Sequence, residues 1–468
     1  MNQHTPSERL IIVANRLPVK RVKRRGRAGW ETSPGGLVAA MTPILNETGG
    51  SWVGWAGAAG KAPAPFKHEN MQIRPVPITA EQLEKFYGGF SNSTLWPLYH
   101  DSVRTPQFHR RWWWPYVDVN RVFADAVIEE ARDGDTIWVH DYQLQLVPGM
   151  IRERLPNVRI GFFLHIPFPP EELFAQLPWR RELLAGILGA DLIGFQTPQG
   201  CKNFVAAARM FAGAQGSERS LAFRGRQVSV RAFPISIDVG ALASVADSPS
   251  VVTRAQQLRT DLGSTSTHRR KVILGVDRLD YTKGIDIRMR AYEEMLERGY
   301  VTAEDTVFVQ VAVPSRESVD DYAELRAFVE RLAGRINGKH GRPGRAAMHY
   351  LYRSLPFEEL AAYYRMADVM TVTPLRDGMN LVAKEYVIAK SGDEGVLVLS
   401  EFAGAAHEFR SGALLVNPHD IDGLASTMHA GLSLPDDERR RRLTQLQRTV
   451  RRNDVFRWAD SFLNALRT

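Results

Sequence analysis

Hydrophobic and polar positions form alternating blocks along the chain, and these blocks predict a regular succession of strands and helices. Short runs of consecutive apolar residues, such as LIIVANR at Leu10–Arg16 and KVILGV at 271–276, predict strands buried on both faces. Stretches of good helix formers follow most of these runs, with glycine, proline or polar residues at the junctions. Strands that alternate with helices predict an α/β fold with parallel sheets.

The alternation occurs twice, which predicts two domains. A chain of 468 residues is too long for one typical domain. The first set of strands ends in VSVRAFPISIDV, a polar helical stretch follows, and KVILGVDRLDYTKGI begins the second set. We place the hinge at 237–239 and expect DVFRWADSFLNAL at the end of the chain to form an amphipathic helix. In the first domain, VKRRGRAGWETSPGG is predicted to be a loop before a helix in LVAAMTPIL.

The stretch TPLRDGMNLVAKEY, residues 373–386, carries the strongest chemical signal. It combines a strand end, a glycine turn and a helix start, so unpaired amides and the positive helix end favour an anion there. Asp377 precedes the turn, and Glu385 follows it on the helix. Such an arrangement suits a ligand with phosphate in the middle and hydroxyls at both ends, such as a sugar nucleotide. An ordinary βα turn with a capping Asp is the alternative interpretation.

Further polar side chains follow other predicted strands. In open α/β sheets ligands bind beyond the carboxyl ends of the strands. The candidates at such ends are Arg16, Asp141, His165, Arg278, Lys283 and Arg316. Two cations five residues apart, Arg278 and Lys283, suit a diphosphate leaving group. Taken one at a time, each arginine could instead be a surface charge, Asp141 a helix cap and His165 a satisfied core group.

Aromatic residues are frequent between residues 86 and 116. Tyr87 and Trp96 are candidates for sugar contacts, because aromatic rings stack on sugar faces and their polar tips form hydrogen bonds. For Trp112, Trp113 and Trp114 we favour packing in the core or at a domain edge.

Composition and charge exclude several classes of protein. The net charge of +8 is a modest basic excess that fits anionic substrates. The basic residues are scattered along the chain and show no nucleic-acid-binding signature, so no nucleic acid partner is predicted. Cys201 is the only cysteine, which excludes an internal disulfide and a thiolate-rich metal site. No metal-ligand cluster, signal peptide or membrane-length apolar run is visible, so a cytoplasmic protein without metal or membrane partner is expected.

A set of long, ordered motifs resembles the trehalose-6-phosphate synthase family, which consists of retaining glycosyltransferases of the GT-B class. The motifs are ANRLP, SPGGLV, WVGWAG, FSNSTLWPLYH, HDYQLQLVP, GFFLHIPFP, GVDRLDYTKGID, TPLRDGMNLVAKEY and LSEFAGAA. The resemblance covers the chain from about Leu10 to the final helix, and actinobacterial-type members look most similar. It implies two doubly wound Rossmann-like domains facing across a cleft. The acceptor domain would span residues 1–238 and the donor domain 239–452, with 453–468 crossing back to the first domain.

The resemblance also implies a reaction and a role for each matching residue. Glucose would pass with retention from a nucleoside-diphosphate glucose to glucose 6-phosphate, without metal or cofactor. Residues on the donor side would be Gly36, Arg278, Lys283, Leu355, Asp377, Gly378, Met379, Asn380, Leu381 and Glu385. Residues on the acceptor side would be Arg16, Trp55, Tyr87, Trp96, Asp141 and Arg316. The residues nearest the reacting centre would be Asp141, His165, Arg278, Lys283 and Asp377.

Several alternatives stay open at this point. An inactive sugar-nucleotide-binding homologue should have lost some of these residues, a cyclitol-using pseudo-glycosyltransferase should differ in its sugar pocket, and a phosphorylase would need a lysine-bound cofactor. The donor base is open between uridine, guanosine and adenosine. Leu355 is expected near the base, and Glu358 and Glu359 could accept hydrogen bonds from a guanine edge, although they suit the start of a helix better. Homodimers and homotetramers are both compatible with the resemblance.

Overall fold

A computed structural model describes residues 9–24, 27–33, 36–316, 320–390, 392 and 394–468 of the chain. The chain forms two compact units. Unit 1 comprises Met1–Ile235 together with Val455–Thr468, and unit 2 comprises Ser236–Asp454. Gly35, near the end of the predicted loop before the first helix, lies outside the described residues. No described helix is both long and apolar enough to cross a membrane.

Unit 1 is built on a ten-stranded sheet. Its strands and those of a small hairpin are β1 Leu10–Arg16, β2 Val19–Arg24, β3 Arg27–Thr32, β4 Ser51–Trp55, β5 Phe66–His68, β6 Met71–Val76, β7 Thr136–His140, β8 Arg159–Phe163, β9 Leu192–Phe195, β10 Gln215–Gly216, β11 Ser220–Phe223 and β12 Arg226–Ala232. The sheet order is β10-β11-β12-β9-β8-β7-β1-β4-β6-β5. Strands from β12 to β6 in this order run parallel, and antiparallel strands extend both edges.

Helices join and cover these strands. They are α1 Gly36–Thr48, α2 Ala80–Gln82, α3 Trp96–Tyr99, α4 Arg110–Ile128, α5 Val147–Arg154, α6 Glu171–Phe174, α7 Arg180–Ile187 and α8 Pro198–Ala212. A π-helical segment, Leu83–Leu95, connects α2 to α3, and a 3-10 turn, Tyr142–Leu144, follows β7.

Unit 2 has a six-stranded, fully parallel sheet. Its strands are β13 Lys271–Arg278, β14 Thr306–Val313, β15 Met348–Tyr352, β16 Val369–Val372, β17 Val396–Ser400 and β18 Leu414–Val416, in the order β15-β14-β13-β16-β17-β18. Its helices are α9 Val239–Ala246, α10 Pro249–Asp261, α11 Ile285–Glu297, α12 Asp320–His340, α13 Phe357–Met366, α14 Leu381–Ala389, α15 Ala406–Phe409, α16 Ile421–Ser433 and α17 Asp436–Arg452, with a 3-10 turn at Tyr281–Lys283. All residues of β16 and β17 are buried, which explains their uninterrupted apolar sequences.

The final helix, α18 Val455–Arg467, packs on the sheet of unit 1. The Phe462 ring stacks on Trp138 of β7 with ring centroids 4.2 Å apart. Two strand glycines make this approach possible, because a Cβ atom at Gly161 or Gly194 would lie 2.6 or 2.8 Å from the Phe462 ring. The predicted amphipathic helix is therefore confirmed, and its apolar face belongs to the core of unit 1.

The loop predicted for VKRRGRAGWETSPGG is wrong over much of its length. Strands β2 and β3 form an antiparallel hairpin in which Val19 pairs with Thr32. Charged residues and glycines obscured the strand pattern; among the side chains that the structure describes within this stretch, Val22 and Trp30 are half-buried.

The packing interpretation of the three consecutive tryptophans holds for only part of the set. Trp113 is buried and stacks on Trp179 with ring centroids 5.2 Å apart. Trp112 packs so closely over Gly89 that a Cβ atom there would lie 2.6 Å from its ring. Trp114 is 59% exposed. Successive residues of a helix point about 100° apart, so three in a row cannot share one buried face.

Candidate functional site

The turn between β16 and α14 has the form that the sequence predicts for an anion site. Asn380 adopts the left-handed backbone conformation with φ of 81° and caps α14 by accepting a hydrogen bond from the amide of Ala383 at 3.2 Å. Within the described part of the chain, no group accepts a hydrogen bond from the amides of Gly378, Met379, Asn380 or Leu381. These amides form the positive start of a nine-residue helix, where an anion is favoured.

Lys283 lies beside this turn. Its Nζ atom donates a hydrogen bond to Asp377 Oδ2 at 2.6 Å, and the same oxygen accepts from Asn380 Nδ2 at 3.1 Å. The side chains of Lys283 and Asp377 are only 10% and 12% exposed. The structure therefore brings together a predicted diphosphate cation, a predicted sugar contact and the predicted anion-binding turn.

A buried arginine, Arg288, fixes the backbone of the turn that carries Lys283. The 3-10 turn ends at Gly284, whose φ is +59° and whose missing Cβ would lie 2.2 Å from the Thr373 carbonyl oxygen. Arg288 Nη2 donates to the Lys283 carbonyl at 2.6 Å and to Asp277 Oδ2 at 2.6 Å. This ion pair is almost fully buried, so it positions the turn rather than meeting a ligand.

A second carboxylate, Asp280, organises the cations that follow β13 and β14. Its Oδ2 atom accepts hydrogen bonds from Arg316 Nη1 at 3.1 Å and from the Tyr322 hydroxyl at 3.0 Å. Burial would raise the pKa of Asp280, but the charges of Arg316, Arg278 and Lys283 outweigh burial and lower it. Asp280 is therefore ionised and lies within the electrostatic reach of Arg316, Arg278 and Lys283.

Arg278 and Arg316 occupy strand-end positions as predicted. Arg278 is the last residue of β13, and its side chain is exposed. Arg316 follows β14 with a φ of 50°, and its side chain is 5% exposed. Arg316 belongs to unit 2, whereas the other residues predicted for the acceptor belong to unit 1.

Two further donor-side candidates, Glu385 and Leu355, also belong to unit 2. The Tyr364 hydroxyl donates to Glu385 Oε2 at 2.7 Å. Burial raises the pKa of Glu385, and the hydrogen bond from Tyr364 opposes this shift. Leu355 is half-buried in the connection from β15 to α13. Glu359 is held by Arg254, whose Nε and Nη2 atoms donate to it at 2.9 and 2.8 Å, so its carboxylate is already engaged.

In unit 1, three acceptor-side candidates form one cluster. The guanidinium of Arg16 lies 4.2 Å from the centre of the Trp55 ring, and the Tyr87 ring lies 6.5 Å from Trp55. Burial lowers the pKa of Arg16, while Tyr87 opposes that shift. Gly57 has a φ of +94°, and a Cβ atom there would lie 2.3 Å from Arg16 Nη1. A cation stacked on an indole beside a phenol suits a phosphorylated sugar.

Two further candidates meet at the ends of β7 and β8. Asp141 has an unusual φ of 75°, and its carboxylate accepts a hydrogen bond from the His165 amide at 3.2 Å. The Asp141 carbonyl accepts a hydrogen bond from the Leu144 amide at 3.1 Å, but its side chain makes no capping hydrogen bond to this 3-10 turn, which disfavours a side-chain helix cap. His165 Nε2 lies 3.1 Å from Nδ1 of His140, a buried residue that the sequence analysis did not select.

The two other candidates in unit 1 are Trp96 and Gly36. Trp96 is buried, and its ring packs against His100 at 4.2 Å and Tyr142 at 5.6 Å between ring centres. Gly36 is the first residue of α1.

The sequence analysis missed the residues that hold the candidates in place. These are His140, Asp280, Arg288, Tyr322 and Tyr364. His140 and Asp280 were visible as polar neighbours of selected residues in HDY and DRLDY. Tyr322 and Tyr364 lie 42 and 21 residues from their partners, so no local pattern marks them.

Comparison with known proteins identifies the family. The model of glycosyltransferase family 20 matches residues 8–468. The chain belongs to this family. The trehalose-6-phosphate synthase of Mycolicibacterium smegmatis is 51% identical over 466 residues, which cover 97% of this chain and 92% of that protein.

Solved structures agree with this assignment. A UDP-forming alpha,alpha-trehalose-phosphate synthase from Burkholderia xenovorans, in complex with glucose-6-phosphate, superposes with a TM-score of 0.89 at 36% identity, covering 98% of this chain and 100% of that one. An E. coli trehalose-6-phosphate protein bound with UDP-2-fluoro glucose gives a TM-score of 0.90 at 36% identity, with 98% and 99% of the two chains covered. The predicted family, the GT-B class with two Rossmann-like α/β domains, and an enzyme of the trehalose-6-phosphate synthase kind are thereby confirmed. The roles of individual residues remain predictions.

Proposed function

We propose that this glycosyltransferase moves glucose, with retention of the anomeric configuration, from a nucleoside-diphosphate glucose to glucose 6-phosphate. The observation that carries the proposal is the contact of Lys283 with Asp377 beside the unpaired amides of Gly378–Leu381. In this arrangement Lys283 would bind the leaving diphosphate, the helix-start amides would donate to its phosphate oxygens, and Asp377 would accept hydrogen bonds from sugar hydroxyls.

The physical argument concerns the charge that develops as the bond between glucose and phosphate breaks. Negative charge grows on the departing diphosphate, and Arg278, Lys283 and the helix-start amides would stabilise it by preorganised electrostatics. Asp377 is paired with Lys283, which suits an ionised carboxylate that accepts hydrogen bonds from sugar hydroxyls better than a nucleophile. We therefore favour front-face attack, in which the leaving phosphate accepts the proton of the incoming hydroxyl and positioning supplies much of the rate.

Among the possible donors we favour UDP-glucose. The Burkholderia xenovorans relative is UDP-forming, and the E. coli relative binds UDP-2-fluoro glucose. Glu359, which could have accepted hydrogen bonds from a guanine edge, is engaged by Arg254. On the acceptor side, the relative bound to glucose-6-phosphate supports the same sugar for the cluster of Arg16, Trp55 and Tyr87.

The reaction is proposed to need no metal or organic cofactor. The preorganised cations and amides already supply positive charge at the predicted phosphate position. Turnover should therefore be unaffected by EDTA, and a large loss that magnesium restores would contradict this part of the proposal.

A direct assay tests the reaction. The protein is incubated with glucose 6-phosphate and UDP-, GDP- or ADP-glucose in turn, nucleoside diphosphate release is followed, and the product is analysed by NMR. We expect α,α-trehalose 6-phosphate, with the highest kcat/KM for UDP-glucose. Lys283→Ala should lower kcat/KM by about 100- to 1,000-fold, the range found when a preorganised charge-stabilising donor is lost. Binding of UDP-glucose without transfer would instead indicate an inactive homologue, and transfer to a cyclitol alone would indicate a pseudo-glycosyltransferase.

A further inference from the structure

A pair of histidines at the ends of two neighbouring strands has a geometry that the proposed reaction does not yet explain. His140 ends β7, and His165 follows β8, its parallel neighbour. Nδ1 of His140 lies 3.1 Å from Nε2 of His165, and the ring centres are 5.4 Å apart. His140 is 1% exposed, whereas His165 is partly open to solvent. Only His165 can therefore meet a ligand, and His140 can act only through it.

Both rings are neutral at physiological pH. Burial lowers the pKa of His165 to about 3, and burial together with the nearby His165 ring lowers that of His140 well below its usual range. A neutral imidazole has one N–H donor and one bare acceptor nitrogen. The hydrogen bond between the rings therefore contains one proton, carried either by His140 Nδ1 or by His165 Nε2.

The surroundings of His140 select between these two arrangements. Its other nitrogen, Nε2, is buried without a partner among the described residues. The ring lies 4.7 Å from Trp138, which in turn lies 5.1 Å from Trp458. The indole N–H groups of both tryptophans are also buried without an acceptor in the described part of the chain. A proton on Nε2 would add a third unsatisfied donor to this cluster, whereas a bare Nε2 adds an acceptor.

Unsatisfied buried N–H groups are rarer in proteins than under-satisfied acceptors. The proton of His140 is therefore expected on Nδ1, facing His165. This leaves Nε2 of His165 as the acceptor and places the proton of His165 on its own Nδ1.

We propose, building on the proposed function, that His140 is a positioning residue that donates its Nδ1 proton to His165 and fixes His165 as the Nδ1–H tautomer. In this form His165 offers an N–H donor to an oxygen of a bound sugar or phosphate. His165 then serves as a neutral donor of fixed orientation, in contrast to a general acid or base whose proton is transferred. The Asp141 carboxylate, which accepts from the His165 amide, holds the backbone of the same residue.

NMR on ring-15N-labelled histidine tests the tautomer directly. The protein contains 12 histidines, and the His165 signals are assigned with His140 and His165 variants. We expect His165 Nδ1 to be protonated and Nε2 to be bare in the wild-type protein. A protonated Nε2 on His165 would overturn the proposal. The measurement needs no catalytic turnover, so an absence of glucosyl transfer would refute the proposed function and leave this result readable.

A pair of matched variants tests the consequence for activity. His140→Asn can keep an N–H donor in the place of Nδ1, whereas an ionised His140→Asp can only accept and should force the opposite tautomer on His165. We expect the Asn variant to keep kcat/KM within about threefold and the Asp variant to lose about 30-fold or more, with the His165 15N signals exchanged in the Asp variant only. Equal activity of two folded variants would contradict the proposal. If the Asp variant does not fold, the tautomer of His165 in the Asn variant decides, since Nε2 protonation there would contradict it.

Discussion

The ion pair between Lys283 and Asp377 should stabilise unit 2 as well as prepare the proposed donor site. At an N–O distance of 2.6 Å and an effective dielectric constant of about 20, the attraction amounts to about 6 kcal/mol before desolvation is subtracted. Breaking a buried pair by removing one partner typically costs about 3–5 kcal/mol. Because about a tenth of each side chain is still exposed and Asn380 also donates to the carboxylate, we expect about 2–3 kcal/mol for either single alanine variant.

A double-mutant cycle measures this coupling. Urea unfolding of the wild type, Lys283→Ala, Asp377→Ala and the double variant should give a coupling free energy of about 2 kcal/mol. The control cycle uses Lys85 and Glu81, a pair four residues apart with 28% and 72% exposure, for which a much smaller coupling than that of Lys283 and Asp377 is expected. Additive effects of the two Lys283 and Asp377 substitutions, within about 0.5 kcal/mol, would refute the reasoning.

Three further predictions concern the residues around this pair. Tyr364→Phe removes the hydrogen bond to Glu385, so the raised pKa of Glu385 should rise further. In steady-state kinetics, the KM for the nucleotide sugar should increase about fivefold to tenfold. An unchanged KM would count against a donor-binding role for Glu385. Gly284→Ala places a Cβ atom against the Thr373 carbonyl at a φ of +59°, and thermal unfolding should register a loss of at least about 2 kcal/mol, whereas wild-type stability would contradict the predicted strain. The pKa of Asp280 is lowered on folding, so its charge stabilises the protein above the unfolded pKa of about 3.9, and this contribution disappears as pH falls through the folded pKa. The stability difference between wild type and Asp280→Asn should therefore be constant between about pH 5 and 8 and shrink below about pH 4, and a difference independent of pH would exclude this linkage.

The sequence predicts the site elements of unit 2 well because the residues that indicate them are close together in the chain. The predicted strand, turn and helix around Gly378 lie within 20 residues, and the structure contains β16 and α14 at those positions. The same holds for Lys283, which is only five residues beyond Arg278 in a turn fixed by Gly284. A backbone conformation that needs glycine, together with an apolar strand, is a pattern that a single sequence displays.

Contacts between distant residues explain what the sequence could not predict. Asp280 is a buried carboxylate, and Tyr322 and Arg316, which stabilise it there, come from later parts of the chain. No periodicity links these positions. The same limit applies to His140, whose role depends on the parallel pairing of β7 with β8 and on Trp458 in the last helix.

Asp280 and Asp377 form different hydrogen-bond arrangements with their neighbouring cations, and this difference bears on the proposed chemistry. Asp280 accepts hydrogen bonds through both oxygens, from Thr282 on one side and from Arg316 and Tyr322 on the other, so it is suited to hold these groups permanently. Asp377 takes only one of the three N–H groups of the Lys283 ammonium. A diphosphate could therefore bind the remaining donors of Lys283 without displacing Asp377. The carboxylate would then keep the ammonium oriented toward the phosphate, which is how a preorganised site avoids reorganisation during the reaction.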